Sequence, residues 1–512
     1  MWYKTITDPI KHCIDFSINK GSRDSPTASS AVDIFPSQKL AGNYTRYLPA
    51  RITLGVGAKN NYYQFFEEIA GGGILDENRE SHIEFLARLC YKSRINLVNN
   101  LYGVPERNFI HYWTPNYDLY LGDGIYTLTP LTLLYCYATG GSVMVFKNRT
   151  QMRTFYFQEQ THHPQTSYGG SVAYRLTDYC RITSAIMGKH LTPGNAAFLN
   201  LPQESLLYAF RTEFFTKKIG YIDLEYAHGG KGAAYYAYAA GSPWKKGWYS
   251  MKFIHGDPQF TGYYTDTRQS SVSFGLSLKH NIIASYSCNT YSANLNKKRR
   301  KKNAPRDFVQ WGGLSHTFAC NLYASLNYND YHSNNALHHS RDYTTRFLCL
   351  ILSKTWNKFT GQAVVEMGRH QGKHKSTSNR QWQNYQLYLS YVLNQKLLLS
   401  TYTQQGNVLI SSRMSWTQLY GVGFNFCCSS SWNLQANYER SYEGYKRQRN
   451  YLNGNLIYKF VNGKQITLRG YWNDQRGHRH DASFLFTFTV PFGIPVGRDC
   501  RVGSIGGCVY DE

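Results

Sequence analysis

Trp432-Asn433-Leu434-Gln435-Ala436-Asn437-Tyr438-Glu439 alternates without a break. Trp432, Leu434, Ala436 and Tyr438 make one face, and Asn433, Gln435, Asn437 and Glu439 make the other. A period of two belongs to a β-strand with one apolar and one polar side. The pattern returns at Leu456, Tyr458 and Phe460, then at Ile466, Leu468, Gly470 and Trp472. It returns again at Ala482, Phe484, Phe486, Phe488 and Val490. Val461-Asn462-Gly463 is a tight turn, because Asn-Gly tolerates the positive φ that hairpins need. Residues 473–480 form a longer, fully polar loop. Short turns on one side and long polar loops on the other predict a lipid-facing meander of a transmembrane barrel.

Working outward, the same alternation covers most of the chain. Ile52, Leu54, Val56 and Ala58 alternate with Thr53, Gly55 and Gly57. Leu206, Tyr208, Phe210, Thr212 and Phe214 form another series, as do Val272, Phe274, Leu276 and Leu278. Short turns near 356, 395, 429 and 462 recur with two strands in each interval. Extended over residues 44–490, this predicts an all-β, large antiparallel transmembrane β-barrel of about 24 strands, in a range of about 20–28. Residues 1–43 read as a loop-rich segment. Residues 491–512 read as a proline linker and the start of a truncated β-sandwich, with Pro491 and Pro495 ending the last strand. The polar stretches 291–311, 329–342, 369–382, 404–413, 440–450 and 473–481 are expected to be surface loops.

Composition agrees. The 512 residues include 44 tyrosines, and aromatic residues make up 16%. Aromatic rings favour strands and the membrane–water interface. Mean hydropathy is −0.48, as expected where every second strand residue faces an aqueous lumen. No run of about 18 apolar residues exists, which excludes a helical membrane protein. The opening Met1-Trp2-Tyr3-Lys4-Thr5-Ile6-Thr7 lacks the apolar core and cleavage site of a signal peptide. The expected location is the outer membrane of a Gram-negative-type bacterium, with the sequence a fragment or wrongly started. The alternative is the mitochondrial outer membrane.

The net charge of +24 implies a basic lumen, basic loops and anionic partners. Arg175, Lys459 and Arg469 fall on the polar phase of their strands and are candidate lumen charges. Lys297-Lys298-Arg299-Arg300-Lys301-Lys302 is the densest charge run. It has the look of a nucleic-acid patch, but between two strands it reads as a solvated loop suited to lipopolysaccharide phosphates. Nucleic acid is not an expected partner. The 11 cysteines show no zinc-type pairing and read mostly as small wall residues. His478, His480 and Asp481, with the pairs His162-His163 and His338-His339, read as incidental loop residues rather than metal ligands. Gly71-Gly72-Gly73 lacks the Gly-Lys-Ser/Thr of a phosphate-binding loop. No catalytic, cofactor-binding or metal-binding residue is assigned, and an enzyme is not expected.

The end of the chain carries a resemblance. Gly503-Ser504-Ile505-Gly506-Gly507-Cys508-Val509-Tyr510-Asp511 looks like the opening strand of a β-sandwich of the carboxypeptidase-regulatory-like kind. A barrel leading through a proline linker into such a domain resembles the outer-membrane usher family. The element Asp257-Pro258-Gln259-Phe260-Thr261-Gly262, followed by Tyr264-Thr265-Asp266 and a strand at 270–278, is similar to usher barrel repeats. The resemblance implies secretion of protein subunits delivered by a periplasmic chaperone. The sequence departs from the family in showing no evident chaperone-binding domain or mid-barrel plug. Three function classes follow: an usher-like barrel that translocates or displays proteins, a porin for small anionic solutes, and a soluble β-rich binding or adhesion protein.

Overall fold

The computed structural model describes residues 47–495, apart from 60–61, 76–79, 93–107, 160–164, 195, 197–201, 217–219, 298–302, 338–341, 373–379, 411–412, 428, 430, 444–446 and 476–480. The expected segment 1–43, residues 496–512 of the expected segment 491–512, the three histidine groups apart from Asp481, and most of the basic run therefore lie outside the described residues.

Strands occupy Tyr47–Lys59 (β1), Tyr62–Ile74 (β2), His82–Lys92 (β3), Phe109–Trp113 (β4), Tyr117–Tyr126 (β5), Cys136–Lys147 (β6) and Thr150–Glu159 (β7). Gln165–Thr177 (β8), Cys180–Leu191 (β9), Glu204–Thr216 (β10), Gly220–Gly229 (β11), Gly232–Trp244 (β12) and Gly247–Gly256 (β13) follow. Then come Thr267–Ser277 (β14), Ile282–Ala293 (β15), Pro305–Thr317 (β16), Leu322–Asn335 (β17), Tyr343–Trp356 (β18) and Phe359–Gly372 (β19). The last are Arg380–Asn394 (β20), Leu397–Ile410 (β21), Arg413–Phe426 (β22), Trp432–Glu443 (β23), Arg447–Lys459 (β24), Gln465–Gln475 (β25) and Asp481–Pro495 (β26).

Each strand pairs antiparallel with its sequence neighbours, and β26 pairs with β1 from Tyr47↔Pro495 to Lys59↔Ser483. The sheet is therefore a closed barrel of 26 strands, two more than the central expectation of 24. Closure removes both sheet edges, which is how a large antiparallel sheet satisfies every backbone donor and acceptor. The even number puts both ends of the barrel chain on the side of the short turns. That side carries two-residue turns such as 148–149, 178–179, 245–246, 357–358 and 395–396. The opposite side carries the longer connections 127–135, 257–266, 294–304 and 336–342.

The alternation sorts the wall into two faces. Ile52, Leu54 and Val56 lie opposite Val490, Phe488 and Phe486 on the outer face. Between them, Thr53 and Thr489 share an inner-face hydroxyl hydrogen bond of 3.0 Å. The outer apolar series of β26 runs from Ala482 to Phe492. Ten residue steps at a strand tilt of about 40° rise roughly 26 Å, close to the apolar band height of membrane barrels.

Two expectations change. First, β26 does not stop at Val490 but continues through Pro491 to Pro495 against β1. The β25 ladder ends at Gln465↔Thr489, so beyond it β26 is locally an edge, where proline is tolerated. Second, much of the polar stretches expected as loops is strand. Arg306, Asp307 and Gln310 are paired in β16, and the connection before it shrinks to 294–304. The strands outlast their apolar bands, and their polar ends remain paired beyond them.

Candidate functional site

The lumen holds the most elaborate side-chain chemistry of the molecule. Two connections from the long side, 127–135 and 257–266, dock onto the inner wall. The first lies between β5 and β6, yet it reaches β11. The Leu131 N–H donates to Glu225 at 3.3 Å, and the Thr129 hydroxyl also donates to Glu225. Five strand spacings separate β6 from β11, roughly 24 Å of wall. A nine-residue connection spans that distance as a chord on the concave side, so it crosses the interior.

The second connection lies against the first. The Tyr263 N–H donates to the Leu131 carbonyl at 2.9 Å, and Lys189 on β9 donates to the Thr261 carbonyl at 3.2 Å. Asp257 fixes its start: the Ala233 N–H donates to the Asp257 carboxylate at 3.0 Å, and the Asp257 N–H donates back to the Ala233 carbonyl. Together the two connections bury Leu131, Leu133 and Phe260 against Phe155, Phe157, Met187, Leu207 and Ile254. The wall beneath is cut back to Ala138, Ala185, Ala209, Ala227 and Ala234, which makes room for them. Gly256 is needed for backbone approach, since a Cβ there would strike the Tyr264 carbonyl. The result is a fixed platform over β5–β13.

A charge network crosses β9, β10 and β11 below the platform. Arg211 holds Asp223 with two parallel hydrogen bonds of 2.7 Å and lies 3.1 Å from Glu213. Arg181 pairs with Glu213 from the other side, and the Tyr221 hydroxyl donates to Glu213 at 2.9 Å. Glu213 and Asp223 are almost wholly buried. Burying a carboxyl group is costly without opposite charge and hydrogen bonds around it, and here both acids have both.

The far wall, β19–β25, is different in kind. Its inner face carries Asn384, Gln404, Asn437, Asn453 and Tyr451. Asn437 donates to Asn453 at 3.1 Å, Gln404 to Asn384 at 3.3 Å, and Asn384 to Glu366 at 3.1 Å. This is an amide-rich surface with nothing docked on it among the described residues.

The three candidate lumen charges share the inner phase. Arg175 is cross-strand from Arg181, whose partner Glu213 is on the inner wall. Lys459 and Arg469 are in phase with inner Asn455 and Thr467. All three are exposed; Arg175 and Lys459 lie toward the short-turn mouth, where Arg51 joins them, and Arg469 lies near the middle of its strand. Of the basic run, only Lys297 is described, exposed on the long side; Lys298, Arg299, Arg300, Lys301 and Lys302 lie outside the described residues. The cysteines of known placement, Cys136, Cys180, Cys288, Cys320, Cys349 and Cys427, are free thiols.

Sequence reasoning missed the platform and the Arg181–Glu213–Arg211–Asp223 network. A signal for the platform was present. Leu128, Leu131, Leu133 and Leu134 make 127–135 an apolar loop, and alanines occupy inner positions that are polar elsewhere. The element 257–266 is the second half of that platform.

No protein-family profile matches the chain, and no curated protein matches it. Solved structures do. The P pilus usher (PapC) translocation pore aligns over 87% of this chain and 99% of its own at 12% identity and a TM-score of 0.41. The siderophore receptor PirA from Pseudomonas aeruginosa covers 88% and 80% at 9% identity and a TM-score of 0.44. Wzi, a carbohydrate-binding β-barrel of the outer membrane of Escherichia coli involved in capsule assembly, covers 56% and 81% at 11% identity and a TM-score of 0.34. Likeness at this level does not choose among their functions.

Proposed function

We propose that this chain is an outer-membrane barrel of a Gram-negative-type bacterium that passes or displays polypeptides, in the manner of an usher. Its surroundings on this reading are membrane lipid and lipopolysaccharide. Its cargo is secreted protein subunits, brought by a periplasmic chaperone to the short-turn mouth. The role is transport rather than catalysis.

The width of the bore carries the proposal. Twenty-six strands at about 4.8 Å spacing and about 40° tilt give a circular section roughly 50 Å across between backbones. Side chains leave roughly 38 Å, and the platform takes part of that width, so the opening falls below the roughly 34 Å of a compact domain of about 100 residues and suits an extended polypeptide. Small solutes need far fewer strands. The platform narrows the bore over β5–β13, and the space along the amide-rich β19–β25 wall remains open among the described residues. A wall rich in amide and hydroxyl hydrogen-bonding groups suits a polypeptide that slides without stopping. The outer apolar band supports membrane embedding, because unpaired apolar surface of that extent is untenable in water.

A second reading, a porin for small anions, is favoured by the exposed inner-face cations Arg51, Arg175, Lys459 and Arg469. One experiment separates the two. The chain is expressed behind a bacterial signal sequence, recovered from outer membranes and recorded in planar bilayers with polyethylene glycols of rising size. The proposal expects a large conductance that only long polymers fail to enter. A narrow, anion-selective pore that loses selectivity in the combined Arg175→Gln, Lys459→Gln and Arg469→Gln variant replaces it with the porin reading. Recovery as a water-soluble protein without heat-dependent gel mobility removes both.

A further inference from the structure

The outer face of β16–β19 changes character at one level. Leu326 and Tyr328 on β17, Leu352, Leu350 and Leu348 on β18, and Met367 on β19 continue the apolar band. The next outward positions toward the long connections are Gln310, Asp330, Arg346 and Arg369. They are cross-strand neighbours in that order. A row of polar groups is untenable in hydrocarbon, so this row marks the edge of the band.

Asp330 is saturated. It accepts from Gln310 at 3.3 Å and from Arg346 at 3.2 Å, and His332 lies 2.8 Å away. Arg369 stands directly opposite Arg346 and is exposed. It has no hydrogen bond or ion pair among the described residues. Two guanidinium groups thus stand on adjacent strands, and the one carboxylate beside them, Asp330, lies on the far side of Arg346 and is already engaged. Like charges directly opposite destabilise a sheet. A phosphate relieves the repulsion, because guanidinium forks bind its oxygens bidentately.

We propose that Arg346 and Arg369 form a headgroup site for a phosphate-bearing glycolipid of the leaflet on the long-connection side. This rests on the membrane-embedded reading above. The acyl chains lie along Leu348, Leu350 and Met367, and the phosphate sits between the two arginines. Asp330 orients Arg346, while Arg369 supplies the uncompensated charge.

The test uses the full chain in neutral detergent. Native mass spectrometry follows titration with diphosphoryl lipid A, with dephosphorylated lipid A and with inorganic phosphate. Diphosphoryl lipid A is expected to bind, with Arg369→Gln weakening it about tenfold. Lys396→Gln, at a short turn on the other side, is expected to bind as the wild type does. Dephosphorylated lipid A is expected to bind weakly. Wild-type binding by Arg369→Gln overturns the site, and so does inorganic phosphate binding as tightly as the lipid. If those results come from a heat-modifiable barrel recovered from membranes, only the site falls. If the chain is recovered as a water-soluble protein, the embedded reading falls and the site falls with it.

Discussion

Arg211 and Arg469 are both inner-face arginines, and their surroundings give them opposite roles. Arg211 sits between two buried acids, Asp223 at 2.7 Å and Glu213 at 3.1 Å. Removing it leaves buried charge without a partner, which typically costs about 3–5 kcal/mol. Arg469 is exposed in the lumen and has no carboxylate partner among the described residues. Arg211→Ala is therefore expected to lower the urea midpoint of the barrel in lipid vesicles. Arg469→Ala is expected to leave that midpoint in place and to reduce anion preference in bilayer recordings. Equal midpoints for the two variants would show that the network carries no stability. Arg469 was legible because it falls on the polar phase of a clean alternation. The role of Arg211 was not, because Asp223, which it holds with two hydrogen bonds, lies on another strand.

At the scale of elements, the period of two was the readable quantity. It assigned the faces of β23–β26 correctly because one-residue slips move a whole apolar set to the wrong side. Phe486 and Thr487 test this directly. Phe486 faces outward opposite Val56 and Leu468, and Thr487 faces inward opposite Gly55 and Thr467. Phe486→Arg is expected to cost about 2–4 kcal/mol near mid-band, whereas Thr487→Arg is expected to be close to neutral. Unfolding in vesicles and outer-membrane yield give the comparison, and a neutral Phe486→Arg would reverse the faces. Strand ends were less readable than strand phases. The polar ends of β15–β19 look like loop in sequence, yet their backbones stay paired in the ladder.

The whole molecule turns on its seam. β1 and β26 are 436 residues apart at Thr53 and Thr489, whose hydroxyls are 3.0 Å apart. Paired substitution Thr53→Cys and Thr489→Cys is expected to form a disulfide under mild oxidation, visible as a faster-migrating band after boiling without reductant. Conductance is expected to persist, since the seam is already shut. Absence of the cross-link would mean that the barrel does not close in this register. Closure is also what gives the lumen an inside, and with it a concave wall for 127–135 and 257–266 to cross.

The sequence by itself determined the all-β class, the two faces of each strand, the sidedness of turns and loops, and the phase of Arg175, Lys459 and Arg469. These are local consequences of residue alternation and turn chemistry, read within one hairpin. Only the tertiary structure decided the count of 26 strands, the closing register, the platform and the pairing of Glu225 with Thr129. Each of these depends on groups tens to hundreds of residues apart, brought together by closure of the sheet, and no local pattern encodes which distant strand will lie opposite.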